Sequence, residues 1–482
     1  MKYGSICNKM VSFIKFHPMK KILLLFSFLL FLQCGSIENY TTPDNKPALF
    51  NLNDIPAITL EFELKDWNKL LTNYDLNPSN EKKVVSRFTF DVNGTTIALD
   101  SIGLRLRGNT SRRRPEGNPG DLHNAADPDW HHVHFALDFS KNRDAQRFKG
   151  LNKLNLKWFK DDPNYCREIY SYDLFTRYGC WNAPRASYCK LTVKVKGDAK
   201  PAYYGVYAMI ENIDEDFLTK NQDKWGAGIG FLWKGGWAGG TNATFTTNST
   251  QSIGVEDVNI DPSLSVYYAY DLKTRKDELP AAQAELTQFI TDLNTKTGTA
   301  FQTWIAQKMD VPLFLRTMAT HVMLGMWDDY WVNGNNFYFY FAPNGKAYFI
   351  PYDYDNTLGT SQIIENAGTQ DPLKWGNMTK RPLITKILEI PQYQALYKSY
   401  VKELVNPNND LFTAARSIER IQTWQNRIAN SIPNDTGEDM SIDDKPASWG
   451  NQPNYRLKTG NNQGGSNGPA NYFLSRAASI TW

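Results

Sequence analysis

A set of acidic and amide side chains in the third quarter of the sequence is the part best suited to chemistry. Two adjacent acids, Asp328 and Asp329, precede an aromatic segment that starts at Asn336, and Asp353 and Asp355 follow the next aromatic segment. Carboxylate and amide oxygens are ligands that Mg²⁺ and Mn²⁺ prefer, and these ions keep positions for phosphate oxygens. A neighbouring acid can orient or deprotonate a hydroxyl group. Asp and Asn also favour turns, so the residue types alone leave a structural use equally open.

A cluster of arginines forms a second candidate site. Five arginines fall within residues 105–114, and they include Arg105 and Arg107 just before Gly108. Guanidinium groups and the backbone N–H groups of a glycine turn suit phosphate. The cluster lacks the Gly-Lys-Ser/Thr sequence of a P-loop, and a solvated basic loop is the equal alternative.

Alternation of apolar and polar residues predicts strands through the first half of the chain, and helical periodicity dominates the second half. The predicted strands lie at 59–64, 86–92, 102–107, 132–139, 154–157, 190–195 and 203–210. A helix is predicted at 167–178, and further helices are predicted at 279–308, 311–326, 383–404 and 411–428. This order predicts an α+β fold of two lobes, with a β-rich N-terminal lobe, a mainly helical C-terminal lobe and a cleft between them.

An aromatic hairpin is predicted over residues 336–351, with its turn at Pro-Asn-Gly 343–345. The two strands of a hairpin run in opposite directions, so its first and last residues meet. We therefore expect Asn336 and Asp353 to lie near each other.

The first 34 residues have the features of an export signal. Lysines precede an apolar run over 22–32, which is shorter than the roughly 20 residues of a transmembrane helix. Cys34 follows this run, as the lipidated cysteine of a bacterial lipobox does, although Gln33 replaces the usual small residue. The signal is most regular if translation starts at Met19. A plain signal peptide that contains Cys34 by coincidence is the alternative.

Composition divides the rest of the chain into a tether and one large domain. Residues 35–56 are polar and are predicted to be the tether, 57–430 the domain, and 431–482 a polar loop and C-terminal segment of that domain. The net charge is +3, and it falls to −2 without the five lysines of the first 33 residues. A nearly neutral mature protein gives no support to a nucleic-acid partner.

Six blocks of sequence, in this order, resemble the CotH (spore-coat protein H) family of atypical protein kinases. The blocks are 103–112, 151–157, 204–211, 232–235, 335–340 and 350–355. The similarity spans roughly residues 57–430, and six ordered blocks are far more specific than any one of them. The resemblance implies a divergent protein-kinase-like fold and ATP-dependent phosphorylation of proteins.

The same resemblance implies roles for single residues near the hairpin. Asp353 resembles the metal-binding Asp of the family, with Asp355 close to it, and Asn336 resembles a second metal ligand. Asp328 is interpreted as the catalytic acid, and Asp329 remains an alternative. The cofactors implied are ATP and Mg²⁺ or Mn²⁺.

Further roles are implied for the first half of the chain. Lys157 is the candidate to pair with nucleotide phosphates, and Glu211 is the candidate to orient Lys157 or to bind nucleotide. Arg105 and Arg107 would cover the phosphates in place of a glycine-rich loop. An insertion over 116–130 departs from the family pattern, and histidines replace the lysines of the strand after it, which leaves a phosphate role for that strand open.

These observations predict an exported protein kinase, lipid-anchored in the outer or cytoplasmic membrane, that transfers phosphate from ATP to Ser, Thr or Tyr of exported proteins. ATP is scarce outside the cytoplasm, so the second hypothesis is a non-catalytic surface lipoprotein that binds host protein or polysaccharide on the same scaffold. A carbohydrate-active enzyme with paired carboxylates ranks third. The presence of the four polar site residues together favours the kinase; they are Asp328, Asn336, Asp353 and Asp355.

Overall fold

The computed structural model describes residues 48–238, 240–445, 455–462 and 469–482. The predicted export signal, with Cys34, lies outside the described residues, as does most of the predicted tether. No helix within the described ranges is both long and apolar enough to cross a membrane.

Seven strands in the first half of the described chain form a closed barrel in the order β1-β2-β3-β4-β5-β7-β6. They are β1 (Ala57–Phe62), β2 (Val84–Val92), β3 (Thr95–Arg107), β4 (His134–Asp138), β5 (Lys153–Lys157), β6 (Ala186–Val195) and β7 (Ala202–Glu211). Neighbours along the sheet pair antiparallel, and the parallel pairing of β1 with β6 closes the barrel. Every second residue of β1 is buried, as the sequence alternation requires. Two helices accompany the barrel strands, α1 (Leu64–Leu76) and α2 (Arg167–Arg177).

A second sheet of five strands carries the hairpin, in the order β11-β12-β8-β13-β14. The remaining strands are β8 (Phe231–Gly235), β9 (Trp237–Ala238), β10 (Thr241–Asn242), β11 (Ile253–Gly254), β12 (Tyr270–Leu272), β13 (Phe337–Phe341) and β14 (Ala347–Pro351). Strand β13 pairs with β14 so that Phe337 lies opposite Pro351. All ten residues of β13 and β14 are buried, because helices and loops cover both faces of this hairpin.

Helices make up most of the remaining regular structure. They are α3 (Glu215–Lys220), α4 (Gln222–Trp225), α5 (Leu279–Thr295), α6 (Gly298–Lys308), α7 (Val311–Leu324), α8 (Pro382–Leu388), α9 (Pro391–Leu404), α10 (Ala414–Ile428) and α11 (Tyr472–Ala478). Helix α7 begins where Asp310 accepts a hydrogen bond from the Leu313 N–H, and it ends at Gly325, whose φ of 72° is left-handed. This sharp end directs the chain into the turn that carries Asp328.

The mixed α+β class predicted from the sequence is confirmed. The hairpin and helix α7 lie where the periodicity predicts them. Barrel closure and the five-stranded sheet around the hairpin are additional features that the alternation of residues did not predict.

Candidate functional site

Lys157 lies at the centre of a cluster of three carboxylates. Its Nζ is 2.6 Å from Glu168 Oε2, 2.6 Å from Asp353 Oδ1 and 3.0 Å from Asp355 Oδ2. Lys157 is the last residue of β5, Glu168 is in the first turn of α2, and the two aspartates follow β14. The side chains of Lys157 and Glu168 are each 5% exposed, whereas those of Asp353 and Asp355 are 30% and 36% exposed. The cluster is therefore shielded from solvent at Lys157 and Glu168 and open to solvent at Asp353 and Asp355.

The charges in this cluster shift one another's pKa values. Burial disfavours the ammonium form of Lys157, but Asp353, Asp355 and Glu168 outweigh it and hold the Lys157 pKa well above its usual value. Burial also acts on Asp353, yet Lys157 and Arg107 hold its pKa below the usual range. Burial raises the pKa of Glu168 to about 7 and that of Asp355 to about 6, and in each case Lys157 only partly offsets this effect. The cluster therefore holds more carboxylate than its one lysine neutralises, which favours binding of a further cation.

The three acids lie close enough together to hold a divalent cation. Glu168, Asp353 and Asp355 each present a carboxylate oxygen, and these oxygens lie within 4.8 Å of one another. Each acid uses one oxygen on Lys157 and has a second oxygen for another ligand. Hard oxygen donors in this number suit Mg²⁺ or Mn²⁺. Asp353 and Asp355 therefore fit the metal that the sequence predicts, and Glu168, which the sequence analysis did not name, is the third carboxylate beside them.

Helix α2 is fixed in place where it supplies Glu168. Asp162 Oδ2 accepts the N–H groups of Cys166 (2.9 Å) and Arg167 (2.8 Å), which satisfies the N-terminus of the helix. Arg167 also pairs with Asp162 and is fully buried. One turn further along, the Tyr172 hydroxyl accepts the N–H of Asp353 at 3.0 Å. The helix thus positions both Glu168 and the backbone of the loop after β14.

Asp328 and Asp329 have different environments. The carboxylate of Asp328 accepts side-chain N–H groups from Asn333 (2.7 Å), Asn335 (2.9 Å) and Asn336 (3.2 Å). Burial raises the pKa of Asp328, and the amides of Asn333 and Asn335 oppose that shift. Asp328 also interacts electrostatically with Asp353 and Asp355, so it lies beside the carboxylate cluster.

Asp329 is engaged in the turn itself. It is 2% exposed, and its carboxylate accepts the N–H groups of Trp331 (2.8 Å) and Val332 (2.9 Å). It also contacts the ring of His321. These bonds shape the segment before the hairpin, and Asp328 is the more accessible of the two acids.

The start of the hairpin supplies two amide groups to the same region. Asn336 has a left-handed φ of 52° and donates its amide to Asp328, which leaves the side-chain oxygen as its ligand atom. Asn335 Oδ1 is buried and has no hydrogen-bond partner among the described residues. Asn336 and Asp353 line the same cleft, as expected from the returning strands. Asp353 also has a left-handed φ, of 64°, a conformation that is uncommon outside glycine and is enriched at functional sites.

A cleft of about 260 Å³ adjoins these groups. Its walls come from the end of β3, the end of β8 and the loop after β14. Arg105 is paired there with Glu81, with Nη2 2.7 Å from Oε1. Arg107 is 9% exposed and donates Nη2 to the Tyr352 hydroxyl at 2.9 Å, while its Nη1 is buried without a partner in the described part of the chain. The two arginines predicted to contact phosphate are therefore not equivalent.

The strand after the insertion contributes no positive charge to the cleft. His134, opposite Arg107 in the β3–β4 pair, is buried and accepts the Trp158 N–H at Nδ1 (3.0 Å). Burial, with the nearby charges of Lys157 and Arg107, lowers the pKa of His134 well below its usual value. A histidine whose pKa is lowered in this way favours the neutral form, so the positive charges of the cleft come from neighbouring strands.

Glu211 lies away from Lys157. It is buried at the end of β7, opposite Leu154 of β5, and it pairs with Arg185 (3.0 Å) and with Lys220. The carboxylate bonded to Lys157 is that of Glu168. Periodicity predicted the helix at 167–178, but it gave no sign of which acid on that helix faces the strand.

Replacing Glu168 with Gln should change how stability depends on pH. Glu168 has a folded pKa raised to about 7 from 4.5, so its contribution is present at low pH and is lost as pH rises through about 7. The Gln variant lacks this titration. We expect the unfolding free energy of the wild type, relative to that of Glu168→Gln, to fall between pH 5 and pH 7.5 by no more than about 1.4 kcal/mol per pH unit, and the melting temperature to fall with it. If the melting temperatures of the two proteins depend on pH in the same way, this assignment is wrong.

Comparison with known proteins adds two findings. The sequence matches the family model described as "CotH kinase protein" over residues 104–463, which is more than half of the chain and includes every residue of the carboxylate cluster. The protein named "Spore coat protein homolog 1" of Rhizopus delemar is 21% identical over 379 residues, or 76% of this chain and 52% of that protein. The chain therefore spans about half the length of this curated relative.

Proposed function

Because the chain belongs to the CotH kinase protein family, we propose that it is an atypical protein kinase that transfers the γ-phosphate of ATP to a hydroxyl group of a protein. One observation carries the proposal: Lys157, Glu168, Asp353 and Asp355 converge beside the cleft. A lysine–glutamate pair next to metal-binding aspartates is the arrangement that phosphoryl transfer by kinases uses. In this proposal the barrel with α2 is the N-terminal lobe and the hairpin sheet with its helices is the C-terminal lobe.

The proposed reaction assigns a task to each polar group. Mg²⁺ or Mn²⁺ held by Asp353, Asp355 and the Asn336 oxygen would neutralise charge on the transferred phosphoryl group. Lys157, oriented by Glu168, would hold phosphate oxygens of ATP.

Asp328 would orient the acceptor hydroxyl and take its proton. The hydroxyl oxygen forms a bond to the γ-phosphorus, the bond from that phosphorus to the bridging oxygen breaks, and ADP leaves. Raised by burial, the pKa of Asp328 lies closer to the working pH than that of an exposed Asp, which favours proton exchange.

The location and partners follow from the same proposal. We propose export through the N-terminal signal and lipid attachment at Cys34, so that the enzyme acts in the cell envelope on Ser, Thr or Tyr of exported proteins. A lipid-anchored domain would meet the membrane through its anchor. Nucleic acid is not among the proposed partners.

Exposed aromatic side chains at the rim of the cleft also fit the binding-protein hypothesis. Trp237 is 63% exposed and Tyr267 is 47% exposed, and both line the cleft. Exposed aromatic faces stack on flat ligands, which include the base of a nucleotide and a sugar ring. The same surface therefore serves the kinase as a base platform, or a non-catalytic protein as a polysaccharide platform.

Titration of the purified protein with ATP, with and without Mn²⁺, tests the proposal. We expect ATP to bind in a metal-dependent manner and labelled phosphate to pass from γ-labelled ATP to protein hydroxyls. Calorimetry measures the first result, and acid-stable protein label measures the second. Absence of nucleotide binding with either Mg²⁺ or Mn²⁺ would contradict the kinase assignment and favour the surface-binding hypothesis.

A further inference from the structure

Lys234 is a cation of the cleft that the groups assigned so far leave without a role. It is in β8, opposite Asp271 of β12 and Tyr338 of β13, and it lines the cleft. Its ammonium group has no hydrogen bond or ion pair with any described residue. Its Nζ lies 5.5 Å from the ring centroid of Tyr352. A partly buried ammonium without a hydrogen-bond acceptor is the kind of group that a ligand satisfies.

Tyr352 joins this lysine to Arg107. Its ring lies beside Lys234 Nζ, and its hydroxyl accepts a hydrogen bond from Arg107 Nη2. Tyr352 directly precedes Asp353 in the chain. One side chain therefore holds two cations from two different sheets next to the metal-binding aspartate.

Arg107 also has a cationic group that lacks a hydrogen-bond acceptor. Its Nη1 is buried and finds no acceptor among the described residues, although Nη2 is bonded to Tyr352. The turn that follows begins at Gly108, whose φ of 108° suits only glycine. A Cβ at Gly108 would come within 2.4 Å of Ser111 Oγ and 3.4 Å of the His134 ring. A residue with a side chain would therefore not fit in the turn directly after Arg107.

Among the described residues, no acid of the cleft forms an ion pair with Lys234 or Arg107. Acids act on both at longer range: burial disfavours the charged forms, but Tyr352, Glu256 and Glu81 raise the pKa of Lys234, and Tyr352 and Asp353 raise that of Arg107. Glu81 is paired with Arg105, and Asp271 is paired with Lys273. Burial, together with the nearby charge of Asp271, raises the pKa of Glu256 to about 7, so near pH 7 it carries only part of its charge. Arg112, which also lines the cleft, donates its N–H groups to the backbone carbonyls of Gly108, Pro78 and Asn80. Arg107 Nη1 and the Lys234 ammonium therefore remain for an anionic ligand, since neither has a hydrogen-bond acceptor among the described residues.

We propose that Arg107 and Lys234 form a binding subsite for the oxygens of a linked phosphate chain, of the diphosphate or triphosphate class. The subsite rests on the proposed kinase function and extends it, because it assigns a phosphate contact to a residue of the second sheet. A guanidinium group and an ammonium group that come from two different sheets can bind oxygens on successive phosphates, whereas a single phosphate can engage both only at short range. Asp353, which lines the same cleft, would hold a metal ion that supplies further positive charge for such a ligand.

Inorganic pyrophosphate in the presence of EDTA is the probe, since it carries the phosphate chain without base, ribose or metal. Calorimetry should show that Lys234→Met weakens pyrophosphate binding by about tenfold or more, as expected for lost hydrogen bonds to a charged group. Arg107→Gln should do the same. Lys194→Met, at an exposed position of β6 outside the cleft, removes the same charge and should bind as the wild type does. Orthophosphate should bind more weakly than pyrophosphate to the wild type.

The outcomes separate this subsite from the kinase proposal. Equal pyrophosphate affinity in Lys234→Met and wild type, with melting temperatures that show both are folded, would overturn the subsite. A wild type that binds pyrophosphate no better than orthophosphate would overturn it as well. Labelled phosphate transfer from ATP is measured independently: transfer without the Lys234 effect refutes only the subsite, and the Lys234 effect without transfer refutes only the catalytic proposal.

Discussion

Asp353→Asn should reduce phosphate transfer from ATP to protein by about a thousandfold, which is the loss expected when several kcal/mol of metal-mediated stabilisation disappear. Asn is similar to Asp in shape and tolerates the left-handed φ of 64° at this position. The backbone N–H that donates to Tyr172 is retained. What changes is the ligand, since a neutral amide oxygen binds Mg²⁺ or Mn²⁺ less well than a carboxylate does.

The same substitution should cost a measurable amount of stability. An acid at a metal site is expected to be an electrostatic liability in the metal-free protein, but Asp353 is bonded to Lys157 and its pKa is lowered by Lys157 and Arg107. Its ionised form therefore stabilises the fold. A variant that melts a few degrees lower but stays folded, and that has lost transfer, is the expected combination.

Label transfer with Mn²⁺ and melting curves without metal check both results. Asp223→Asn is the matched control, because Asp223 lies in α4 with a side chain 67% exposed. It should keep full activity and an unchanged melting temperature. Full activity in Asp353→Asn would show that Asp353 only forms the turn.

Periodicity and turn residues predict those parts of the fold whose interacting residues are close in sequence. The aromatic hairpin is an example: two runs of buried aromatic residues flank Pro-Asn-Gly, and only one register lets them pair. Helix α7 is another, with an Asp cap at its start and a left-handed glycine at its end. In both cases the information lies within about 20 residues.

Long-range pairing lay beyond such patterns. The barrel closes where Ala57 of β1 meets Lys190 of β6 in a parallel pair, and nothing in either strand specifies a partner more than a hundred residues away. The five-stranded sheet includes β11, which has only two residues, too few to show a period. Strands of this kind form because neighbouring strands offer free hydrogen-bonding edges.

The candidate site shows the same division. Asn336 directly precedes the first aromatic strand, and Asp353 and Asp355 follow the second, a pattern that the sequence shows by itself. These residues do lie beside one cleft. Glu168 was missed, since it faces Lys157 only through the angle at which α2 meets the barrel. Lys234 lies in the sequence block 232–235, but nothing in that block shows that its ammonium group lacks a hydrogen-bond acceptor, which only the structure reveals.

Lys157→Met should destabilise the metal-free protein by about 3–5 kcal/mol at pH 7.5, the usual cost of removing one member of a buried ion cluster. The substitution leaves Glu168, Asp353 and Asp355 with oxygens within 4.8 Å of one another and without their ammonium. Mutual repulsion then raises the pKa of each acid above its unfolded value. The folded variant therefore binds more protons than the unfolded chain, and its stability should recover as the pH falls to about 5.

A divalent cation should rescue the same variant. Mn²⁺ supplies the positive charge that Lys157 no longer gives, so it should raise the melting temperature of Lys157→Met more than that of the wild type, in which the ammonium already offsets part of the negative charge and repels the ion. Calorimetric melts at pH 5 and pH 7.5, with and without Mn²⁺, measure both effects, and Lys194→Met controls for the loss of a lysine. If the melting temperature of Lys157→Met is the same at both pH values and does not change with Mn²⁺, these three carboxylates do not form a cation site. If the variant instead gains stability from Mn²⁺ but transfers no phosphate, Lys157 is needed for ATP and not for the metal, because the ion is then bound without it.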